Sequence, residues 1–256
     1  MKRFFCLLLF VLAGPAFAQD APEKVADAKP GDVRLFVSNG LREPFKTVRA
    51  EAEQQVGRHL VVEYGSSRVM QAQMEAGQAF DVAILTATAI DDLSTKERIV
   101  RGSASEIARV PVAIAVRGVA RIDVSTPDAI KAALLGARTV GFTPIGGEAP
   151  TVNKLFAALG VTDAMKAKFH AMPPVGDTSA MPPTGQYDLI MNLVSEILPL
   201  GGGWNYVGDT PEALSVPVIM SAGIGAQGDA AAAQKLIAFL RGPAIEPALK
   251  ANHMTH

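Results

Sequence analysis

The chain has 256 residues, 49% of them hydrophobic and 19% charged, and its formal net charge is −1. That near-neutral balance, with no long basic run, argues against nucleic acid as a partner. The single cysteine, Cys6, lies in the first segment of the chain.

The first residues have the three parts of a secretory signal peptide. Lys2 and Arg3 provide positive charge, residues 4–11 are apolar, and Ala16-Phe17-Ala18 is a small-x-small cleavage site. We expect residues 1–18 to be removed and Cys6 with them, which leaves a mature chain without disulfide or thiol chemistry. No later segment is long and apolar enough to span a bilayer, so the predicted location is the periplasm.

Residues 19–31 are polar and contain two prolines, which predicts a flexible mature N-terminus. Three β-strands are predicted at residues 33–37, 60–64 and 81–85. The helix between the first two is predicted from apolar residues at helical spacing, namely Leu41, Phe45, Val48, Ala52 and Val56, with Gly57 as a stop. A second predicted helix follows residues 65–67 and ends at Gly77. Strands alternating with helices at this spacing predict a parallel α/β sheet.

A second α/β set follows a predicted loop region. Strands are predicted at residues 110–116, 139–142, 188–191 and 216–224. Helices are predicted at residues 128–135, 151–159 and 230–240, with a short one near Ser195.

Several predicted strands end in a small polar turn that opens a helix. These turns are residues 38–40, 65–67, 143–150 and 192–195. Ligands of parallel sheets bind beyond the carboxyl ends of the strands, and helix N-termini offer unpaired N–H donors there. Four such ends meeting at one cleft would hold an anion without any lysine.

Each of these residues also has a plain structural interpretation. Serine, threonine and asparagine before a helix are common N-caps, and Gly40 or Gly147 can serve backbone geometry alone. Arg68 either faces a carboxylate ligand or faces solvent. Glu148 either points away from the site, pairs with an arginine, or indicates a ligand other than a bare oxyanion.

The sequence offers little for catalysis. The four histidines, His59, His170, His253 and His256, form no H-x-x-x-H pair, and the mature chain has no cysteine for zinc. No G-x-S-x-G nucleophile motif is present. We therefore expect no enzyme activity, no catalytic residue, no metal site and no cofactor.

Six stretches of the chain resemble the molybdate-binding proteins of ABC transporters and their extracellular solute-binding relatives. The most specific is Ser66-Ser67 followed by a helix that contains Gln-Met-Glu-Ala-Gly up to Gly77. The resemblance covers nearly the whole mature chain. The six stretches are residues 33–41, 64–77, 81–85, 188–198, 207–214 and 238–243.

The resemblance implies a type II two-lobe periplasmic-binding-protein fold. Each lobe is an α/β unit with a mixed, mostly parallel sheet flanked by helices, and two crossing segments near residues 109–111 and 215–217 join the lobes. Lobe one then comprises residues 32–109 plus 217–256, and lobe two comprises residues 110–216.

In that family, hydroxyls and backbone N–H groups of both lobes hold a tetrahedral oxyanion. Ser67 matches the family's serine in the second turn. The family's serine before Leu41 is replaced in this chain by Gly40, so either Ser38 substitutes for it or the hydroxyl is lost. The family's tyrosine maps near Asn192 or Leu193, where this chain has no tyrosine. The expected ligand-binding residues are Ser38, Asn39, Gly40, Ser66, Ser67, Arg68, Gly147, Ala149 and Asn192.

The expected function is that of a monomeric receptor that delivers a small, molybdate-like oxyanion to an ABC transporter permease in the inner membrane. Two alternatives stay open. One is a binder of a small organic carboxylate, held by Arg68 or Arg42, for transport or sensing. The other is an exported hydrolase or lyase on the same scaffold, which would need a base near Ser67.

Overall fold

The structure is a computed structural model and describes residues 23–118, 122–172, 188–201 and 203–256. The predicted signal peptide and the predicted new N-terminus at Gln19 lie outside these residues. The strands, in chain order, are β1 (Val33–Ser38), β2 (Leu60–Gly65), β3 (Val82–Thr86), β4 (Ser105–Val110), β5 (Val112–Arg117), β6 (Val140–Phe142), β7 (Phe169–Ala171), β8 (Leu189–Leu193), β9 (Trp204–Asp209) and β10 (Val218–Ile224).

Helices cover these strands. They are α1 (Arg42–Val56), α2 (Ser67–Glu75), α3 (Ala87–Thr95), α4 (Pro127–Gly136), α5 (Ala149–Ala158), α6 (Thr162–Lys168), α7 (Val194–Ile197), α8 (Ala230–Leu240) and α9 (Glu246–Ala251). The helical spacing predicted for α1 is confirmed, because Phe45, Val48, Ala52 and Val56 are all buried. The helix ends at Gly57, whose φ of 77° suits a residue without a side chain.

The strands form two five-stranded sheets. The first has the order β2-β1-β3-β10-β4, and the second has the order β7-β6-β8-β5-β9. In the first sheet β1 pairs in parallel with β2 and β3, whereas β10 runs antiparallel between β3 and β4. In the second sheet β6 pairs in parallel with β7 and β8, and β5 runs antiparallel to β8 and β9. The predicted two-lobe α/β fold is thus confirmed, with two mixed sheets flanked by helices.

The chain passes between the sheets twice. Pro111 alone separates β4 of the first sheet from β5 of the second. The expected single strand over residues 110–116 was therefore wrong in extent, because its first residue belongs to β4 and the rest to β5. The return passage lies between β9 and β10.

Two other stretches differ from expectation. The region before residue 110, expected as a loop, contains α3 and β4. Residues 23–31, expected to be flexible, pack against β2: Val25 is buried, and the Glu23 carboxylate accepts a hydrogen bond from the Val62 N–H at 2.8 Å. Glu23 also forms an ion pair with Arg49, so one carboxylate fixes this segment to both β2 and α1. Within the part of the chain that the structure describes, no helix is both long and apolar enough to cross a membrane.

Candidate functional site

A small cavity lies where the carboxyl ends of strands from the two sheets face each other. Its volume is about 30 Å³, which is room for only a few atoms. The residues that line it are Ser38, Ser66, Ser67, Thr86, Thr143, Gly146, Gly147, Glu148, Leu193, Glu196 and Met220. Because these residues come from both lobes, a ligand in the cavity would contact both at once.

The first lobe contributes linked hydroxyl groups. Ser38 ends β1 and Thr86 ends β3, and Ser67 begins α2. The Ser67 hydroxyl donates to Ser38 Oγ at 3.2 Å and accepts a hydrogen bond from the Thr86 N–H at 3.2 Å. Ser38 Oγ also accepts from the Gly40 N–H at 3.3 Å. These contacts fix the hydroxyl oxygens, while the hydroxyl hydrogen of Ser38 stays free to turn toward a ligand.

The two serines that precede and begin α2 have different structural roles. Ser66 is the N-cap, and its side chain accepts a hydrogen bond from the Val69 N–H at 3.3 Å. Ser67 is the first helical residue and does not cap the helix. The capping interpretation therefore applies to Ser66, and the buried hydroxyl of Ser67 is directed at β1 and β3.

The second lobe contributes the loop between β6 and α5. Gly146 and Gly147 line the cavity, and Glu148 immediately precedes α5. The Glu148 carboxylate folds back and accepts a hydrogen bond from the Thr143 N–H at 3.3 Å. It thus occupies the first backbone donor of the loop, and its side chain lines the cavity rather than pointing away.

Glu148 and Glu196, hereafter the carboxyl pair, both line the cavity. Burial, together with the smaller effect of the nearby charge of Glu196, raises the pKa of Glu148 to about 8, although the hydrogen bond from the Thr143 N–H lowers it. Burial also raises the pKa of Glu196 to about 7, against the opposing effects of a hydrogen bond from Asn192 and the positive charge of Arg42. The pair therefore holds protons near neutral pH, which an exposed glutamate does not.

The lobes contact each other beside the cavity. The Ser195 hydroxyl, in α7, donates to the carbonyl oxygen of Gly40 at 2.8 Å. A Cβ atom on Gly40 would lie 2.5 Å from Met220 Cε and 2.8 Å from Leu193 Cδ1. The space that a serine side chain would need at position 40 is thus filled by these two side chains, one from each lobe.

Gly147 forms a second close approach between the lobes. A Cβ atom there would lie 2.7 Å from Thr86 Cγ2 at the end of β3. The absence of a side chain at this position allows the β6–α5 loop to approach the first lobe.

The structure brings together only some of the residues predicted from sequence. Ser38, Ser66, Ser67 and Gly147 line the cavity. Asn39, Gly40, Ala149 and Asn192 are buried but are not among the lining residues. Arg68 is exposed, and its charge acts on Glu75 along the same helix.

Sequence reasoning missed seven lining residues or left their role open: Thr86, Thr143, Gly146, Glu148, Leu193, Glu196 and Met220. Thr86 had a usable signal, because it directly follows a buried apolar strand, as Ser38 does. Met220 and Glu196 had none, since their position depends on how distant strands and lobes meet. Among the described residues, no cluster of three or more His, Cys, Asp or Glu side chains has the arrangement of a metal site.

Comparison with known proteins identifies the family. The model of the family described as "Bacterial extracellular solute-binding protein" matches residues 33–255. The chain belongs to this family. A curated relative, the molybdate-binding protein ModA of Azotobacter vinelandii, is 25% identical over 237 residues, which cover 88% of this chain and 90% of the relative. The resemblance to molybdate-binding proteins is thereby confirmed.

Solved structures of other proteins share the fold. The periplasmic molybdate-binding protein of A. vinelandii superposes with a TM-score of 0.73 at 17% identity, covering 88% of this chain and 99% of that one. PEB3 of Campylobacter jejuni, in a structure with bound L-phospholactate, has a TM-score of 0.70 at 12% identity and covers 88% and 100%. The fold is therefore shared by proteins that bind different ligands.

Proposed function

We propose that this protein is the periplasmic receptor of an ABC importer and that it captures a small oxyanion in the cleft between its lobes. The observation that carries the proposal is the cavity itself. It is small, lies between the carboxyl ends of both sheets, and is lined by four hydroxyl residues of the first lobe and a glycine-containing loop of the second lobe.

The proposed chemistry needs no lysine or arginine at the ligand. The hydroxyl groups of Ser38 and Thr86 supply neutral donors on one side of the cavity. The Ser67 hydroxyl, which donates to Ser38 in this structure, becomes a third donor when it turns to the ligand. Gly146 and Gly147 permit close approach of the loop backbone on the other side. The relatives named for molybdate support an oxyanion of that size as the first candidate.

A permease can accept the ligand only if it distinguishes the ligand-bound receptor from the empty one. We assign lobe one to residues 32–109 plus 217–256 and lobe two to residues 110–216, with bending at Pro111 and in the passage between β9 and β10. Ligand binding between the lobes favours the closed form, and the permease in the inner membrane then binds this form.

A small organic carboxylate has less support as the ligand. Arg68 is exposed, and Arg42 donates to Asn39 Oδ1 at 2.8 Å and lies over the Tyr64 ring. Neither arginine lines the cavity. A hydrolase or lyase is also less supported, because the Ser67 hydroxyl is hydrogen-bonded to Ser38 and Thr86 and to neither glutamate that lines the cavity.

A thermal-shift screen tests the proposal. The mature protein is melted with molybdate, tungstate, sulfate and phosphate, and with small carboxylates as the contrasting class. A ligand at about a hundred times its Kd stabilises the folded state by about 2.7 kcal/mol, which raises the Tm by roughly 5–10 °C for a chain of this size. Stabilisation by carboxylates but by no oxyanion would contradict the proposal.

A further inference from the structure

The carboxyl pair is out of place in a cavity for a bare oxyanion. A fully deprotonated oxyanion offers only hydrogen-bond acceptors, and an ionised carboxylate does the same. Glu148 and Glu196 nevertheless line the same small cavity as Ser38, Ser67 and Thr86. An ionised pair would meet such a ligand with like charges and with no donor between them.

The surrounding groups do not cancel this charge at the ligand. The residues that β1, α2, β3 and β10 place around the cavity are uncharged. The charged group that acts on the pair from α1 is Arg42, which affects Glu196. On the second lobe, Asn192 hydrogen-bonds to Glu196, and the charge of Glu196 acts on Glu148.

Glu148 also removes a donor that the loop would otherwise offer. Its carboxylate accepts the hydrogen bond of the Thr143 N–H. At this point the second lobe therefore presents carboxyl oxygens to the cavity instead of an N–H donor. Such an oxygen donates a hydrogen bond only when it is protonated, and otherwise needs a donor on the ligand.

We propose that the cleft binds its oxyanion together with at least one proton, held between a ligand oxygen and the carboxyl pair, and that it favours oxyanions that keep an O–H group at neutral pH. This inference rests on the proposed function and refines its ligand class. Hydrogen phosphate is the simplest anion of this kind. Molybdate and sulfate carry no proton at neutral pH, so they bind only while the pair supplies one.

The raised pKa values of Glu148 and Glu196 agree with this arrangement, since the pair retains protons near neutral pH. As pH rises and the pair ionises, a ligand without a proton loses its donor. A ligand with its own O–H group keeps one, which an ionised carboxylate accepts. The two kinds of oxyanion thus differ most above neutral pH.

The test is calorimetric titration of the mature protein with molybdate, sulfate and phosphate between about pH 6 and about pH 9. Uptake of one proton per anion predicts that affinity for molybdate or sulfate falls about tenfold per pH unit once the pair ionises. We expect the affinity for phosphate to fall much less over the same range.

The variant Glu148→Gln/Glu196→Gln keeps the shape of the pair and cannot ionise. We expect its affinity for molybdate and sulfate to be independent of pH, while Glu212→Gln, at an exposed position, keeps the wild-type dependence. Each protein is melted without ligand to show that it is folded. Each single variant is titrated as well, which keeps the test open if the double variant does not fold.

The outcomes separate the two proposals. Oxyanion binding with the same pH dependence in wild type and Gln variants would overturn the proton-linked site and leave the proposed function standing. Binding of sulfate or molybdate by the wild type with no dependence on pH would do the same. Absence of binding by every oxyanion at every pH would instead overturn the proposed function. Stabilisation by Mn²⁺ or Ca²⁺ in the wild type only would show that the pair binds a cation, and would overturn the inference.

Discussion

The hydroxyl of Ser195 in the second lobe donates a hydrogen bond to the carbonyl oxygen of Gly40 in the first lobe, at 2.8 Å. Both residues are buried beside the ligand cavity. This bond exists only while the lobes are together, so it stabilises the closed form and not the separate lobes.

The variant Ser195→Ala should therefore bind ligand more weakly without a matching loss of fold stability. A hydrogen bond of this kind contributes about 0.5–1.5 kcal/mol, which corresponds to an affinity roughly twofold to tenfold lower. Calorimetric titration measures the affinity, and small-angle scattering measures the radius of gyration. Ser94→Ala, near the far end of α3, is the matched control. Unchanged affinity in Ser195→Ala would show that the bond is irrelevant to closure.

Ser66 and Ser67 are neighbours with separable effects. Ser67→Ala removes a hydroxyl from the cavity, and since a hydrogen bond to a charged partner contributes about 1.5–3 kcal/mol, affinity should fall about tenfold to a hundredfold. Ser66→Ala removes the N-cap of α2 and should lower the free energy of unfolding by about 1 kcal/mol. Titration and melting of both variants measure the two effects. If Ser66→Ala weakened binding while Ser67→Ala only lowered stability, the division into cap and ligand residue would be wrong.

The variant Ser38→Ala tests whether the hydroxyl two residues before Gly40 binds the ligand. Ser38→Ala should weaken binding, because its hydroxyl hydrogen is free while its oxygen is held by the Gly40 N–H and Ser67. The measurement is the same titration as for Ser67→Ala. Loss of affinity at Ser67 but not at Ser38 would leave the first lobe with backbone N–H groups and one hydroxyl, which disfavours molybdate.

Gly147 permits closure of the cleft. A methyl group there would lie 2.7 Å from Thr86 Cγ2, so Gly147→Ala should hold the lobes apart and lower affinity at least about tenfold. Gly136→Ala is the control, since a Cβ at that position meets nothing within 4 Å. Thr86→Ser removes the clashing methyl group and keeps the hydroxyl. Adding it to Gly147→Ala should restore part of the affinity, and failure to do so would contradict the steric explanation.

The ligand-free protein should lose stability as pH rises. The pKa of Glu148 in the folded state, about 8, lies above its ordinary value, so the folded protein binds more protons than the unfolded chain between these two values. The stabilisation is complete below the ordinary glutamate pKa and is lost as pH rises through about 8. Chemical denaturation at about pH 5 and about pH 9 should differ by more than about 1 kcal/mol, the equivalent of one pKa unit. Glu148→Gln should reduce this difference; an unchanged difference would show that Glu148 ionises normally.

Much of the fold could be predicted from local sequence patterns. The apolar spacing from Phe45 to Val56 specified α1, and the apolar runs of β1, β2 and β3 all indicated strands. Pairing between distant segments could not be predicted in this way. The splitting of one apolar run at Pro111 and the insertion of β10 between β3 and β4 depend on contacts far apart in sequence.

The same limit applies to the site. Polar turns after strands predicted Ser38 and Ser67 as site residues, and both line the cavity because the ends of parallel strands meet at one edge. The sequence leaves the direction of the Glu148 side chain open and contains no signal for Glu196. Their raised pKa values arise from burial, and for Glu148 also from the charge of Glu196. Neither cause is visible in the residues around either glutamate in the sequence.

The position of β10 has a consequence for the order in which the molecule can fold during synthesis. β3 and β4 both pair with β10, so the first sheet lacks its connecting strand until residue 224 has emerged. The second sheet needs nothing beyond β9 and can assemble first. The first lobe, although it begins earlier in the chain, is therefore the last to be completed. Late completion keeps the first sheet without its connecting strand while the chain is being made, so the cleft between the lobes cannot form until synthesis is nearly finished.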